Sequence, residues 1–197
     1  KRQEEERELL QGRGVDRALY ASGRAFEVDA AKMLEKGKLM SIRPHTRFAP
    51  FPRHSHNYVE IMYMCRGKTV HRIDGDALVT LEAGELLFLN RHASHAIQRA
   101  DAGDIAVNFI VLPQFFDEAF NMAGMDNVLS RFLLGELYTG GAAVSYLHFR
   151  VREVLPVQNL VENMVWTLVN RQPGARRINQ VTMGLLLLQL MHYTAVS

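Results

Sequence analysis

Three side chains able to ligate a metal fall on one short stretch. His54 and His56 are two residues apart, and Glu60 follows four further on. Residues two apart on a β-strand point to the same face, so an unbroken strand would turn all three one way. His95 comes 35 residues after Glu60. Two imidazoles and a carboxylate, joined by a third imidazole from another strand, can hold a first-row metal. The same groups can equally grip a polar ligand. The donor set suits Zn, Ni, Fe or Mn, and spacing does not choose among them. The first use would serve catalysis, the second sensing.

Strand parity extends the candidate pocket. Tyr58, Met62 and Met64 share the parity of His56 and Glu60, and Phe88 and Asn90 are expected to approach from the strand after Gly84. An apolar cavity with a few convergent polar groups is what a small-molecule site requires, although buried methionines are more often packing material. His45, His71, His92, His148 and His192 lack ligand spacing. They are expected to be solvated or hydrogen-bonded.

The elements that must position these groups follow from periodicity. Residues 1–37 are polar, with helix-favouring runs at Glu4–Leu10 and Asp29–Lys36 punctuated by glycine. Pro44, Pro50 and Pro52 mark an extended arm. Strands are expected at Tyr58–Cys65, Thr69–Ile73, Ala77–Leu81, Glu85–Leu89, Ala93–Arg99, Ile105–Leu112 and Tyr146–Val151. Asp74-Gly75 suits a type I′ hairpin turn. A helical excursion covers Gln114–Leu137. Close-spaced short strands of this kind imply an antiparallel sandwich or barrel.

The period then changes. Val157, Val161, Met164 and Leu168 recur at helical spacing behind Pro156. After Gln172-Pro-Gly-Ala, a second helix carries Ile178, Val181, Leu185, Leu188 and His192 on one stripe. The same helix has Met183, Leu186, Leu187, Leu190 and Met191 elsewhere, so it is apolar on more than one side. One face can cover the barrel; the other needs a partner. Helices over 156–171 and 178–194, joined by a short connection, should form an antiparallel pair.

Composition narrows the function. The chain has 197 residues, 48% hydrophobic and 22% charged, with a net charge of +2. That describes one folded domain with a small appendage and offers no basic face for nucleic acid. The lone Cys65 cannot form an intramolecular disulfide and fits a reducing, cytoplasmic compartment. Nothing resembles a signal peptide, and the apolar run Met183–Met191 is too short to span a bilayer. The chain starts without Met and stops inside an apolar helical pattern, as a piece of a longer protein would.

His54-x-His56, then Glu60, then Gly67 resembles the first motif of the cupin superfamily, though Phe48 stands where that motif has its upstream glycine. Gly84 and His95 are similar to the ends of the second motif. Asn90, His92 and Arg99 replace its proline, glycine and asparagine. The wording of residues 52–63, Ile73-Asp-Gly and Ala83-Gly-Glu-Leu-Leu-Phe-Leu-Asn resembles the effector-binding domain of AraC-family transcription regulators. The resemblance implies a mainly β protein with α, a cupin (jelly-roll) β-barrel followed by paired helices. It runs from about residue 38 onward, so the chain divides into the helical extension read at 1–37, an effector-binding barrel at 38–151 and a dimerisation hairpin at 152–197. It implies a homodimer, a small effector such as a sugar or related metabolite, and DNA contact only through a helix-turn-helix domain beyond Ser197. With the residues that strand parity adds, the expected ligand set is His54, His56, Tyr58, Glu60, Met62, Phe88, Asn90 and His95. Of these, His54, His56, Glu60 and His95 correspond to the metal ligands of metal-binding cupins. The alternative is a metal-dependent cupin enzyme, a dioxygenase or isomerase. No nucleophile pattern or phosphate loop points to other chemistry.

Overall fold

The computed structural model describes residues 15–22 and 25–194. The helix expected at Glu4–Leu10 lies outside them. Two five-stranded sheets face each other. The first has the order β1 (Glu27–Val28), β3 (Phe51–His56), β8 (Ser94–Ile97), β5 (Lys68–Ile73), β6 (Ala77–Glu82). The second runs β12 (Tyr146–Phe149), β7 (Leu86–Leu89), β4 (Val59–Arg66), β9 (Ile105–Val111), β2 (Met40–Pro44). A small hairpin, β10 (Tyr138–Thr139) with β11 (Ala142–Ala143), stands apart.

The central strands of the second sheet, β7, β4 and β9, work on both faces. Met62, Met64, Leu87, Leu89 and Ala106 point into the sandwich and meet Ile73, Val79 and Leu81 from the first sheet. Val59, Ile61, Tyr63, Phe88 and Phe109 point the other way, into a larger core shared with the helices. Such strands lack polar alternation because both sides are buried. The helices on that outer side are α2 (Asp117–Ala123), α3 (Val128–Leu134), α4 (Leu155–Val169) and α5 (Ala175–Thr194). A third core near the N-terminal elements joins Val28, Ala30, Met33, Tyr58 and Ile110.

Most expected elements are present, with informative shifts. The helix expected at Asp29–Lys36 is one turn, α1 (Ala30–Met33), capped by the Asp29 carboxylate on the Ala31 amide. Leu34 is already extended. The proline-marked arm contains two true strands, β2 and β3. Pro52 sits exposed on β3 beside a bulge between Phe51 and His54, a position where a missing amide costs no ladder bond. The hairpin at Asp74-Gly75 closes with three residues, because Ile73 pairs with Ala77. Asp74 and Gly75 both adopt positive φ, 52° and 94°. The helical excursion breaks at Gly124, and Asn127 caps the second piece through the Ser130 amide.

The terminal helices pair as the periodicity predicts, but the buried face of α5 lies on α2 and α4 and not, as expected, directly on the sheets. Asn179, Met183, Leu186, Leu187 and Leu190 of α5 are buried, whereas Ile178, Leu185 and Leu188 are exposed. On α4, Trp166 and Val169 are exposed while Val157, Val161 and Met164 are buried. No helix among the described residues is long and apolar enough to cross a membrane.

Candidate metal and effector site

The chain bends at Asn57-Tyr58, between β3 and β4, and passes from one sheet to the other. His54, His56 and Glu60 therefore do not line one strand face, as parity on an unbroken strand would have it. They converge from opposite walls of the sandwich. Asn57 fixes the bend by accepting the Ala30 amide and donating to Asp29. The β3 bulge resets parity so that Phe51, His54 and His56 are all buried. His95 comes from the neighbouring strand of the same sheet, directly opposite His54, with ring centroids 4.3 Å apart.

One ligand atom each from His54, Glu60 and His95 lies within 4.8 Å of the others. Glu60 Oε2 is 3.4 Å from His95 Nε2 and 3.8 Å from His56 Nε2. Neither approach is a hydrogen bond: Glu60 Oε2, His56 Nε2 and both His95 nitrogens are buried and unpartnered. Backbone carbonyls fix the imidazoles. His54 Nδ1 donates to Pro52 O at 2.9 Å, and His56 Nδ1 donates to Tyr58 O at 2.8 Å. Both Nε2 atoms are thereby left as lone pairs, the arrangement in which a ligating histidine is usually held. Glu60 Oε1 accepts from Asn108 Nδ2 at 2.9 Å, which leaves Oε2 open.

Burial sets the electrostatics. Loss of hydration lowers His54 and His56 to about 4, with the carbonyl bonds only partly opposing it. His95 is pushed well below the usual imidazole value by burial and by its histidine neighbours. Glu60 is raised to about 7 by burial, against the Asn108 hydrogen bond. Neutral imidazoles and a carboxylate starved of solvation are a donor set with unmet demand for a cation. The orphaned lone pairs fit a divalent first-row ion. Buried polar atoms left unpaired otherwise cost on the order of 1–3 kcal/mol each.

The remaining expectations divide. Met62 and Met64 lie in the sandwich interior. Tyr58 stacks on His56, centroids 4.8 Å apart. Phe88 does not join the site. It pairs with Ile61 rather than Glu60 and so points to the helical side, where it meets Phe149 at 5.1 Å; a one-residue difference in register reverses the face. Asn90 is buried but committed elsewhere: its amide donates to the Phe132 and Val144 carbonyls and its oxygen accepts the His92 amide.

Two histidines set aside for lack of spacing belong to the cluster. His71 is fully buried on β5, 6.0 Å from the His95 ring, and bonds Thr69 Oγ1 through Nε2. His45 follows β2, 5.9 Å from His71, with Nδ1 on Asn108 Oδ1. His71 shares strand parity with Thr69 and Ile73 within the expected strand, the signal that could have placed it on the buried face. His45 carried none. His92 bonds the Gly135 carbonyl, and His148 pairs with Glu85 at 2.8 Å, outside the cluster. Phe26, just before β1, lies 5.7 Å from His54 and stacks on Phe51, covering this end of the sandwich.

No curated protein is similar enough to count as a relative. Among solved structures, a ToxT variant from Vibrio cholerae shares 10% identity over 77% of this chain and 55% of its own, with a TM-score of 0.51. A cupin protein from Bacteroides fragilis shares 29% identity over 37% of this chain and 63% of its own, TM-score 0.31. The DMSP lyase DddQ from Ruegeria pomeroyi shares 20% over 36% of each chain, TM-score 0.31. The chain thus spans less than two thirds of each of these proteins. The fold is a cupin-type β-barrel with C-terminal helices. The stretch that carries every side chain of the cluster, residues 41–120, matches the AraC-like ligand binding domain.

Proposed function

We propose that this chain is the sensing and dimerisation part of a cytoplasmic AraC-type transcription regulator. A small effector binds inside the barrel, 38–151, at or beside a divalent metal (Zn, Ni, Fe or Mn) held by His54, Glu60 and His95, with His56 as fourth ligand. The helices of 152–197 pair with those of a second copy, and the arrangement of the dimer governs a helix-turn-helix domain in a longer protein. The observation that carries the sensing reading is the match of residues 41–120 to the AraC-like ligand binding domain; its metal part rests on Glu60, a buried carboxylate with an open oxygen facing neutral imidazoles. When bound, the metal would supply positive charge and open positions for effector oxygen or nitrogen atoms. The protein's own part is to fix the imidazole lone pairs and exclude water.

Strand β4 supplies the connection that sensing requires. Glu60 and Met62 face the barrel, and Ile61 and Tyr63 between and beyond them press on the helical core. Tyr63 Oη donates to Gln158 Oε1 of α4 at 2.5 Å. An effector acts only through different affinity for two arrangements, and this strand touches both the site and a dimerising helix. The test joins two measurements on purified protein. Elemental analysis should give close to one first-row metal per chain, lost in the His54→Ala, His95→Ala double variant. Sedimentation should show a concentration-dependent dimer. Metal-free protein that takes up no added Co²⁺, or a monomer at high concentration, would remove one half of the reading each.

The donor set favours a second reading, a metal-dependent cupin enzyme. Its discriminating result is multiple turnover of an oxygen- or isomerase-type substrate by the metal-loaded chain, abolished by the Glu60→Gln change.

A further inference from the structure

Glu60 does not stand alone. Asn108, on the adjacent strand β9, is diagonal to it in the ladder, since Glu60 pairs with Ile110 and Met62 with Asn108. Its Nδ2 donates to Glu60 Oε1 at 2.9 Å. With the amide nitrogen so used, its Oδ1 is the acceptor for His45 Nδ1, at 3.3 Å. His45 is itself anchored by its backbone amide, which donates to Ala106 O at 3.0 Å. A chain of two hydrogen bonds therefore runs from a backbone-anchored imidazole to one oxygen of the candidate ligand carboxylate.

We infer that Asn108 and His45 are positioning residues that hold Glu60 to a single coordinating oxygen. The inference rests on the metal reading above and extends it to residues outside the ligand set. A carboxylate free to rotate can offer a cation both oxygens. Here Oε1 is occupied, and only Oε2 points at His56 and His95. With a metal bound, one-oxygen ligation by Glu60 would leave room for effector or water, and the hydrogen bonds from Asn108 and His45 would hold the carboxylate in that pose. Partners of this kind usually contribute ten- to hundredfold to metal affinity.

The test uses Co²⁺ alone, followed by calorimetry and by its visible d–d spectrum, on the whole chain. Asn108→Leu, close in shape and lacking the amide, should weaken Co²⁺ binding about ten- to hundredfold and alter the spectrum. Asn108→Gln, which restores an amide, should recover part of both. His45→Phe should weaken binding less. Combined with Asn108→Leu it should add nothing, because the chain is already cut. Metal-free melting curves separate these effects from misfolding, and His45→Phe serves if Asn108→Leu does not fold. Wild-type affinity and spectrum in both single variants would overturn the inference, as would fully additive losses in the double variant. If wild-type protein binds no Co²⁺ at all, the metal reading itself fails, a distinct result.

Discussion

Glu60 and the imidazoles around it pull stability in opposite directions as pH changes. His54 and His56 titrate near 4 and His71 near 3 in the folded protein, against about 6.5 for a free imidazole. Between those values the unfolded chain binds more protons, so stability rises with pH. Glu60 titrates near 7 instead of 4.5, so the folded state holds the extra proton and stability falls as pH climbs through that window. Three imidazoles outweigh one carboxyl where the windows overlap. The metal-free protein should therefore melt at a rising temperature up to about pH 7 and change little from there to pH 8, where the two effects nearly cancel. Glu60→Gln keeps an oxygen for Asn108 and removes the charge. It should stabilise metal-free protein at pH 8 by up to roughly 3 kcal/mol while abolishing Co²⁺ uptake. Melting curves from pH 4 to 8 check this; an equal gain at every pH would refute it.

At the scale of the element, α5 is the most informative. Its buried stripe packs against α2 and α4, and its second stripe leaves Leu185 43% and Leu188 37% exposed. Replacing both with Glu should give a soluble, folded monomer with little loss of thermal stability. Leu187→Glu on the buried side should cost several kcal/mol, because a charge enters an apolar core unpaired. Sedimentation combined with circular dichroism separates the two. The connection after β7 offers a second prediction. Asn90→Ala strips partners from the Phe132 and Val144 carbonyls and from the His92 amide. It should destabilise by about 2–4 kcal/mol without changing metal affinity, since Asn90 holds the loop and not the site. A drop in Co²⁺ affinity at unchanged stability would reverse that assignment.

For the whole molecule, charge sets the expectation. A net charge of +2 with scattered Lys and Arg neutralises few phosphates, and DNA affinity grows with the number neutralised. Residues 1–197 alone should show no sequence preference for DNA at physiological salt. Tight, selective retardation in a gel-shift titration would place a DNA-reading surface on this chain and displace the sensing reading.

The sequence by itself determined the strands from β4 to β9, β12, the terminal helices and the two apolar faces of α5, because local periodicity reports which side of an element is buried; it read β2 and β3 only as an extended arm. It also singled out His54, His56, Glu60 and His95, whose types and spacing are the chemistry. What it left open depended on contacts between distant residues. The bend at Asn57-Tyr58 sends Glu60 to the opposite sheet, so the group converges across the sandwich and not along one strand. Register, set by pairing, turned Phe88 to the helical side and occupied Asn90 with carbonyls. His45 and His71 joined the cluster because β2 and β5 are brought together in space, which no spacing along the chain records. Only the tertiary structure decided which nitrogens and which carboxylate oxygen remain unpartnered, since that depends on every donor and acceptor that folding brings within reach.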